Sequence, residues 1–277
     1  MEIWNHFAFN TKLRAALFRY VQEAGIECDV EDHFVSFDIS ENDPRWDGLY
    51  EMVKTIPYFY TSEIKFDKSE LLEAEWLTVR SQWYYDYPQP ENGFKSITYA
   101  EEYMCSGKEC GMERVQKDCF RFKRTPKWGK RNFCMTNWVF DELFVSPKAR
   151  KMLEDSDLQG FSFLEVKNKS GKEILNDVFQ MQISYILPEG GSSPSSGIKG
   201  EFVCPVCGRR KWFHNSREQY AFYREAFLNA PDFVKSAERY GAAANAVRMI
   251  LVSQKAYRFL TENKLDSSLV FEPIILV

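Results

Sequence analysis

Four cysteines in two pairs constrain this chain more than any other feature of its sequence. Cys204-Pro205-Val206-Cys207-Gly208 has the form of a zinc knuckle, in which two thiolates separated by two residues point at one ion. The glycine permits the tight turn that aims backbone N–H groups at the sulfur atoms. This segment therefore predicts a turn that presents two thiolate ligands.

A second cysteine pair lies upstream. Cys105 and Cys110 are separated by four residues and followed by Gly111, a spacing that metal-binding pairs also use. Together the pairs supply four ligands for one structural zinc ion: Cys105, Cys110, Cys204 and Cys207. The 94 residues from Cys110 to Cys204 predict a zinc ribbon split by an inserted segment. The alternative is four reduced thiols that hold no metal.

The remaining cysteines favour a reducing compartment. The chain has 7 cysteines, and an odd number spread over 277 residues fits reduced thiols and a metal site better than a disulfide scaffold. Cys28, Cys119 and Cys134 are expected to be small buried apolar residues. His214 follows Cys207 by seven residues, which makes it an alternative ligand to a thiolate.

Composition predicts a folded protein without a membrane anchor. Hydrophobic residues make up 44% and aromatic residues 16% of the chain, which excludes global disorder. No apolar stretch approaches the length of a membrane helix, and the first residues lack a signal-peptide pattern. We therefore expect a cytoplasmic protein that does not bind membranes.

Charge and turn residues divide the chain into two parts. Residues 1–100 carry 9 basic and 18 acidic side chains, whereas residues 101–277 carry 27 basic and 22 acidic ones. Two prolines and an Asn-Gly within residues 86–93 mark a boundary. We expect an acidic α+β domain over residues 1–95 and a split zinc-ribbon α+β domain over residues 96–277. The Gly- and Ser-rich residues 189–197 are expected to form a disordered loop.

The fold class follows from local patterns. Apolar residues at helical spacing predict a helix over residues 13–24 that ends at Gly25, and Phe34–Ile39 alternates like a strand. A helix over residues 47–56 and extended segments at 63–66 and 76–80 complete a small α+β unit.

The second part contains an internal repeat. Seven residues recur at a constant offset of 107, from Val145 to Val252 and from Glu165 to Glu272. In each copy a serine is placed to cap a short helix that leads into a strand. Chance recurrence of a cap and a leucine spacing is the alternative, but the fixed register favours a true helix–strand repeat.

A basic segment between the cysteine pairs is a candidate binding site for nucleic acid or for a protein partner. Six cations and an aromatic residue interleave in it: Arg121, Lys123, Arg124, Lys127, Trp128, Lys130 and Arg131. Such a pattern can bind phosphates and stack a base. Alternatively, the cations offset the thiolates or meet acidic groups, and the acidic first hundred residues favour this interpretation.

No pattern of catalytic residues is recognisable. The sequence lacks glycine-rich phosphate loops and a nucleophile elbow. Four thiolates around zinc leave no coordination position for an activated water. We therefore expect a protein that is not an enzyme.

The two cysteine–glycine segments, Cys105 to Gly111 and Cys204 to Gly208, resemble the bacterial double-CxxCG motif family. The Ser-capped helix and strand, at 145–166 and again at 252–274, look like related families that include predicted immunity proteins of polymorphic toxin systems. The similarity covers residues 95–277, and the first pair departs from it with four intervening residues instead of two. The resemblance implies a non-enzymatic, zinc-stabilised α+β protein that binds a protein partner, as an immunity protein does. A nucleic-acid-binding zinc ribbon is the alternative function.

Overall fold

The computed structural model describes residues 1–56, 59–100, 105–106, 110, 115–194, 197–241 and 246–277. Within these ranges the chain forms six α-helices and seventeen strands, which confirms the α+β fold class. None of the helices in these ranges is long and apolar enough to span a membrane. The chain divides into two compact units, Met1–Glu70 with Ser216–Gln219, and Leu71–Asn215 with Tyr220–Val277.

The first unit is an antiparallel four-stranded sheet with two helices on one face. Its elements are β1 (Glu2–Asn10), α1 (Ala15–Glu23), β2 (Asp29–Glu31), β3 (Phe34–Ser40), α2 (Trp46–Val53) and β4 (Tyr60–Lys65). The strands lie in the order β2-β3-β1-β4. This βαββαβ order is the split βαβ topology of ferredoxin-like folds.

Local sequence determines these elements. α1 ends just before Gly25, whose φ of +64° lies in the left-handed region that favours glycine. In β3 every second side chain, such as Val35 and Phe37, is buried against the helices together with Phe7 of β1. The two helices of this unit therefore cover one face of the sheet.

The division between the units falls after Glu70 and not near residue 95, where composition placed it. The cause is β5 (Trp76–Ser81), which follows the short helix α3 (Lys68–Glu73). β5 pairs antiparallel with β15 (Val247–Ser253) and β16 (Leu269–Pro273) in the sheet of the second unit. Charge composition carries no information about such long-range pairing.

The second unit contains the other elements. They are α4 (Phe94–Thr98), β6 (Arg121–Phe122), β7 (Phe133–Thr136), β8 (Val139–Val145), α5 (Pro147–Glu154), β9 (Ser162–Asn168), β10 (Ile174–Gln182), β11 (Ile198–Val203), β12 (Arg210–His214), β13 (Ala221–Phe222), β14 (Phe233–Tyr240), α6 (Gln254–Glu262) and β17 (Ile275–Leu276). The two larger sheets have the orders β6-β9-β10-β8-β7 and β11-β12-β14-β15-β5-β16.

The predicted repeat is present as two matching halves. One contains β8, α5 and β9, and the other contains β15, α6 and β16. Four strands in each half have the same spatial order, β7-β8-β10-β9 and β14-β15-β5-β16, so β5 takes the place that β10 has in the first half. Phe133 pairs with Val145, and Phe233 pairs with Val252 at the equivalent position.

Both repeat helices begin at the predicted serine. Ser146 Oγ accepts a hydrogen bond from the N–H of Ala149 at 3.1 Å, and Ser253 Oγ accepts one from the N–H of Ala256 at 3.1 Å. The buried faces of α5 and α6 then pack into one hydrophobic core that both halves share. The caps therefore fix where each helix starts relative to this core.

The middle of the loop expected to be disordered, residues 191–193, is buried. The N–H of Gly190 donates to Glu238 Oε1 at 2.9 Å, and Ser192 Oγ donates to Glu238 Oε2 at 2.8 Å. Ser192 and Ser193 are 2% and 3% exposed, so residues 190–193 do not meet the expectation. Ser195 and Ser196 lie outside the described residues. Gly and Ser predict backbone freedom, but they do not reveal a distant carboxylate that binds the loop.

Removal of either helix cap should destabilise the protein. Ser146→Ala and Ser253→Ala are each expected to lower the free energy of unfolding by about 1 kcal/mol, because each removes the acceptor of a first-turn N–H. Urea denaturation measures the change. Ser→Thr at the same positions keeps the acceptor and is the control. Unfolding free energies equal to wild type in both Ala variants would contradict the capping role.

Candidate metal centre

The first cysteine pair lies between two short segments that pair with each other. Tyr99, just after α4, forms an antiparallel bridge with Gln116, and the N–H of Ala100 donates to the carbonyl of Val115 at 2.9 Å. Cys105 and Cys110 lie between these ends. The intervening residues 101–104, 107–109 and 111–114 are outside the described part of the chain.

The second pair lies in the turn between β11 and β12. Gly208 has a φ of +71°, and its N–H donates to the carbonyl of Cys204 at 2.9 Å. The N–H of Val206 points at Cys204 Sγ, 3.4 Å away. This is the knuckle geometry that the sequence predicts, because the glycine adopts the left-handed conformation that closes the turn.

The structure brings all four predicted cysteines together. Their Sγ atoms lie within 4.8 Å of one another. Cys105 Sγ is 3.8 Å from Cys204 Sγ, and Cys110 Sγ is 3.3 Å from Cys207 Sγ. Sulfurs bound at about 2.3 Å to one tetrahedral ion lie about 3.8 Å apart, whereas a disulfide bond is about 2.0 Å long. The cluster therefore has the spacing of a metal site built from reduced cysteines.

The knuckle turn favours the thiolate form of Cys204. Backbone N–H groups of Cys207 and Val206 donate to its sulfur and lower the pKa of the thiol to about 6. A thiolate is the form of cysteine that binds a metal ion. The turn thus favours the metal-binding, deprotonated form of Cys204 in the absence of a metal ion.

A row of three cations lies beside the knuckle. Lys211 of β12 is opposite Arg239 of β14, and Arg239 is opposite Arg248 of β15. Lys211 and Arg239 are 1% and 7% exposed. Like charges opposite one another on neighbouring strands repel, so this cation row requires nearby anions.

The thiolates lie beside Lys211, whereas Glu142, near the arginines, is paired with Lys235 at 2.6 Å, and burial raises its pKa. Burial lowers the pKa of Lys211, and the negative charges of the Cys110, Cys204 and Cys207 thiolates oppose that shift. Beyond Arg239 and Arg248, a cavity of about 160 Å³ is lined by Asp141 and Glu142, among other residues. Sequence reasoning missed the row, although Arg209-Arg210-Lys211 directly after the knuckle is a signal for it. Four thiolates around one Zn²⁺ would leave a net charge of −2 on the site, which would stabilise the row.

The other three cysteines and His214, the alternative ligand, lie outside the cluster; Cys134 is buried as expected, whereas Cys28 and Cys119 are half-buried. Cys134 is fully buried, and burial raises the pKa of its thiol and of the Cys119 thiol. Cys28 packs at the edge of the core of the first unit. His214 stacks on Tyr220 with the ring centroids 3.7 Å apart, and it is not part of the four-cysteine cluster.

The two aromatic residues of the basic segment, Phe122 and Trp128, pack against the core of the second unit. Phe122 is fully buried, and Trp128 Nε1 donates to the carbonyl of Asp177 at 2.7 Å. Trp128 also packs edge-on against Trp83. Phe122 is therefore inaccessible to nucleic-acid bases, whereas Trp128 is half-buried and held in place by these two contacts.

The cations of this segment fall into two groups. Arg121 pairs with Asp118 at 3.1 Å, and the guanidinium of Arg131 lies 4.1 Å from the centre of the Trp83 ring. Four others are exposed: Lys123, Arg124, Lys127 and Lys130. Of the six cations of the predicted binding segment, two thus make contacts within the protein and four are exposed.

A scan against models of protein families and a search of curated proteins found no match to this chain.

The charge of Lys211 should matter for metal binding. Lys211→Met keeps the length and the packing of the side chain but removes the charge that faces the thiolates, so we expect metal affinity to fall by about tenfold. Competition with a chromophoric chelator measures the affinity. Lys199→Met, an exposed position on β11 of the same hairpin, is the matched control. Equal affinities of the two variants would show that the cation row does not support the metal.

Proposed function

We propose that this chain is a non-enzymatic, zinc-stabilised protein that binds another protein, in the manner of an immunity protein. The four-cysteine cluster, with all sulfurs within 4.8 Å, carries the proposal. Zinc is the metal that best suits four thiolates in tetrahedral geometry without redox chemistry. The role of the ion is to hold the β11–β12 hairpin to the loop after α4.

The ligand set argues against catalysis at the metal. Four protein thiolates complete a tetrahedral shell, so no position is left for water or substrate. Two of the sulfurs belong to buried residues, Cys110 and Cys204 at 3% and 2% exposure. A closed, partly buried site stabilises structure and does not activate a ligand.

The uneven charge of the chain supports a protein partner. The first unit carries 15 acidic and 8 basic side chains, whereas the whole chain has a net charge of only −4. Concentrated charge of one sign steers association with an oppositely charged macromolecule. The resemblance of the cysteine pairs to the double-CxxCG family supports the same function.

Nucleic-acid binding by the basic segment has weaker support. Exposed Lys123, Arg124 and Lys130 can contact phosphates, but Phe122 is fully buried and Trp128 is half-buried with its Nε1 bonded to Asp177, which disfavours base stacking. The acidic first unit also repels a polyanion.

The zinc assignment predicts a metal-dependent stability. Purified protein should contain about one zinc ion per chain, and a chelator should lower its melting temperature because metal binding is coupled to folding. Elemental analysis and thermal denaturation measure both effects. Cys204→Ser should lose the zinc, while Cys28→Ser, outside the cluster, should keep it. Protein that binds no zinc and is indifferent to chelators would refute the assignment.

The partner assignment predicts a neighbouring gene for a toxin domain. We expect its product to form a stable complex with the full-length chain, with a Kd below about 1 µM, and to lose its toxicity on co-expression. Size-exclusion chromatography, calorimetry and growth assays test this. A neighbouring product that is purified, folded and active yet neither binds nor is neutralised would contradict it.

The alternative makes the opposite prediction. If the basic segment binds nucleic acid, affinity for single-stranded DNA or RNA falls steeply with salt. Reversal of Lys123, Arg124 and Lys130 to Glu would then abolish binding. We expect fluorescence anisotropy to show no salt-sensitive, sub-micromolar binding of single-stranded DNA or RNA. If such binding is observed, nucleic-acid binding becomes the favoured function.

A further inference from the structure

The first unit has a sheet face that its helices do not cover. In β1 the side chains of Phe7 and Phe9 are buried on the helix side, so Trp4, His6 and Ala8 point the other way. Strand pairing places Asp38 of β3 and Thr61 of β4 beside His6. We call this side of the sheet the open face.

The open face is strongly acidic. Pairing and alternation place five carboxylates on it: Glu2, Asp29, Glu31, Asp38 and Glu63. Lys65, opposite Glu2, is the one Lys or Arg at these strand positions of the described chain. Asp38 and Glu63 have side-chain exposures of 57% and 60%. Their charges are therefore available to a partner.

The centre of the open face is concave. A groove of about 420 Å³ is lined by Trp4, His6, Asp38, Thr61, Ser62 and Glu63. Carboxylates thus lie on both sides of an indole ring. A groove of this composition fits the side chain of an arginine or a lysine, since the ring faces attract cations and the carboxylates accept their hydrogen bonds.

The open face already holds one ammonium group of its own. Lys65 Nζ lies 4.2 Å from the centre of the Trp4 ring and 3.4 Å from Glu63 Oε1. Trp4 is oriented for this contact, because its Nε1 donates to Glu2 Oε2 at 2.9 Å. Lys65 therefore shows, within the chain, how this surface receives a cation.

We propose that the open face binds a Lys- and Arg-rich segment of a protein partner, with a cationic side chain seated on Trp4 between Asp38 and Glu63. Charge complementarity selects this occupant over a neutral or an acidic one. The proposal rests on the proposed function, of which it names the docking surface.

A metal ion fits the open face less well. His6 Nδ1 is 2.8 Å from Asp38 Oδ1, so the imidazole nitrogen is already engaged while Asp38 remains 57% exposed. Within the described ranges, the four cysteines are the group of three or more metal-type ligands that come close enough to share an ion. The carboxylates of the open face are spread over four strands, which suits the spaced charges of a peptide.

The test uses the full-length chain and a fluorescein-labelled peptide of alternating Arg and Ser residues, followed by fluorescence anisotropy at physiological ionic strength. Asp38→Asn combined with Glu63→Gln should weaken binding at least about fivefold, because both carboxylates contact the cation. The matched control, Glu23→Gln with Glu27→Gln, makes the same charge change in exposed residues at and after the end of α1. It should change Kd by less than about twofold, because salt screens distant charges.

A second pair of variants tests the seat on Trp4. Lys65→Gln should tighten binding about threefold, since it frees the ring and removes a competing cation, whereas Lys68→Gln in α3 should leave Kd within about twofold of wild type. Trp4→Leu should weaken binding. Circular dichroism confirms that each variant is folded.

Two results would overturn the proposal. One is an equal loss of peptide affinity in the Asp38→Asn, Glu63→Gln variant and in the Glu23→Gln, Glu27→Gln control. That result would show that only the net charge of the protein matters. The other is weaker binding by folded Lys65→Gln. A positive peptide result with no complex with the neighbouring gene product would keep the docking surface and reject the proposed function. If the neighbouring gene product is neutralised and binds equally well to the Asp38→Asn, Glu63→Gln variant, the proposed function is kept and the docking surface is rejected.

Discussion

The pairing of β5 with β15 and β16 is the interaction on which the second unit depends. β5 comes from the acidic first part of the chain and supplies the strand that completes the second repeat half. Its Leu77 and Val79, 0% and 4% exposed, enter the core that both halves share. Without β5, backbone groups of two neighbouring strands would lose their partners inside the protein. The division of the chain, the shared core and the sheet that carries the knuckle all follow from this contact.

That sheet also organises charge around the cysteine cluster. β12, β14 and β15 place Lys211, Arg239 and Arg248 in one row, a costly arrangement unless anions lie near. The Cys110, Cys204 and Cys207 thiolates beside Lys211 meet part of this requirement. A zinc ion bound by four thiolates would hold two distant segments together and leave a net negative charge beside the cation row.

Sequence reasoning succeeded where the physical cause is local. The serine caps at 146 and 253, the helix that ends at Gly25 and the knuckle at Cys204 depend on residues a few positions apart, and all are present in the structure. It failed where a distant group decides. Glu238 binds the Gly- and Ser-rich loop at residues 190–192, and Phe122 and Trp128 of the basic segment pack inward. Composition cannot show which distant carboxylate or core a segment will meet.

The sequence by itself determined the α+β class, the 107-residue repeat and the identity of the four clustered cysteines, because spacing and capping act over short distances. Only the tertiary structure decided that β5 leaves the acidic part for the second sheet. It also decided that cations line up beside the thiolates, and that carboxylates converge on Trp4 on an uncovered sheet face. Strand order sets which side chains become neighbours, and that order is fixed by burial and hydrogen bonding across the whole chain.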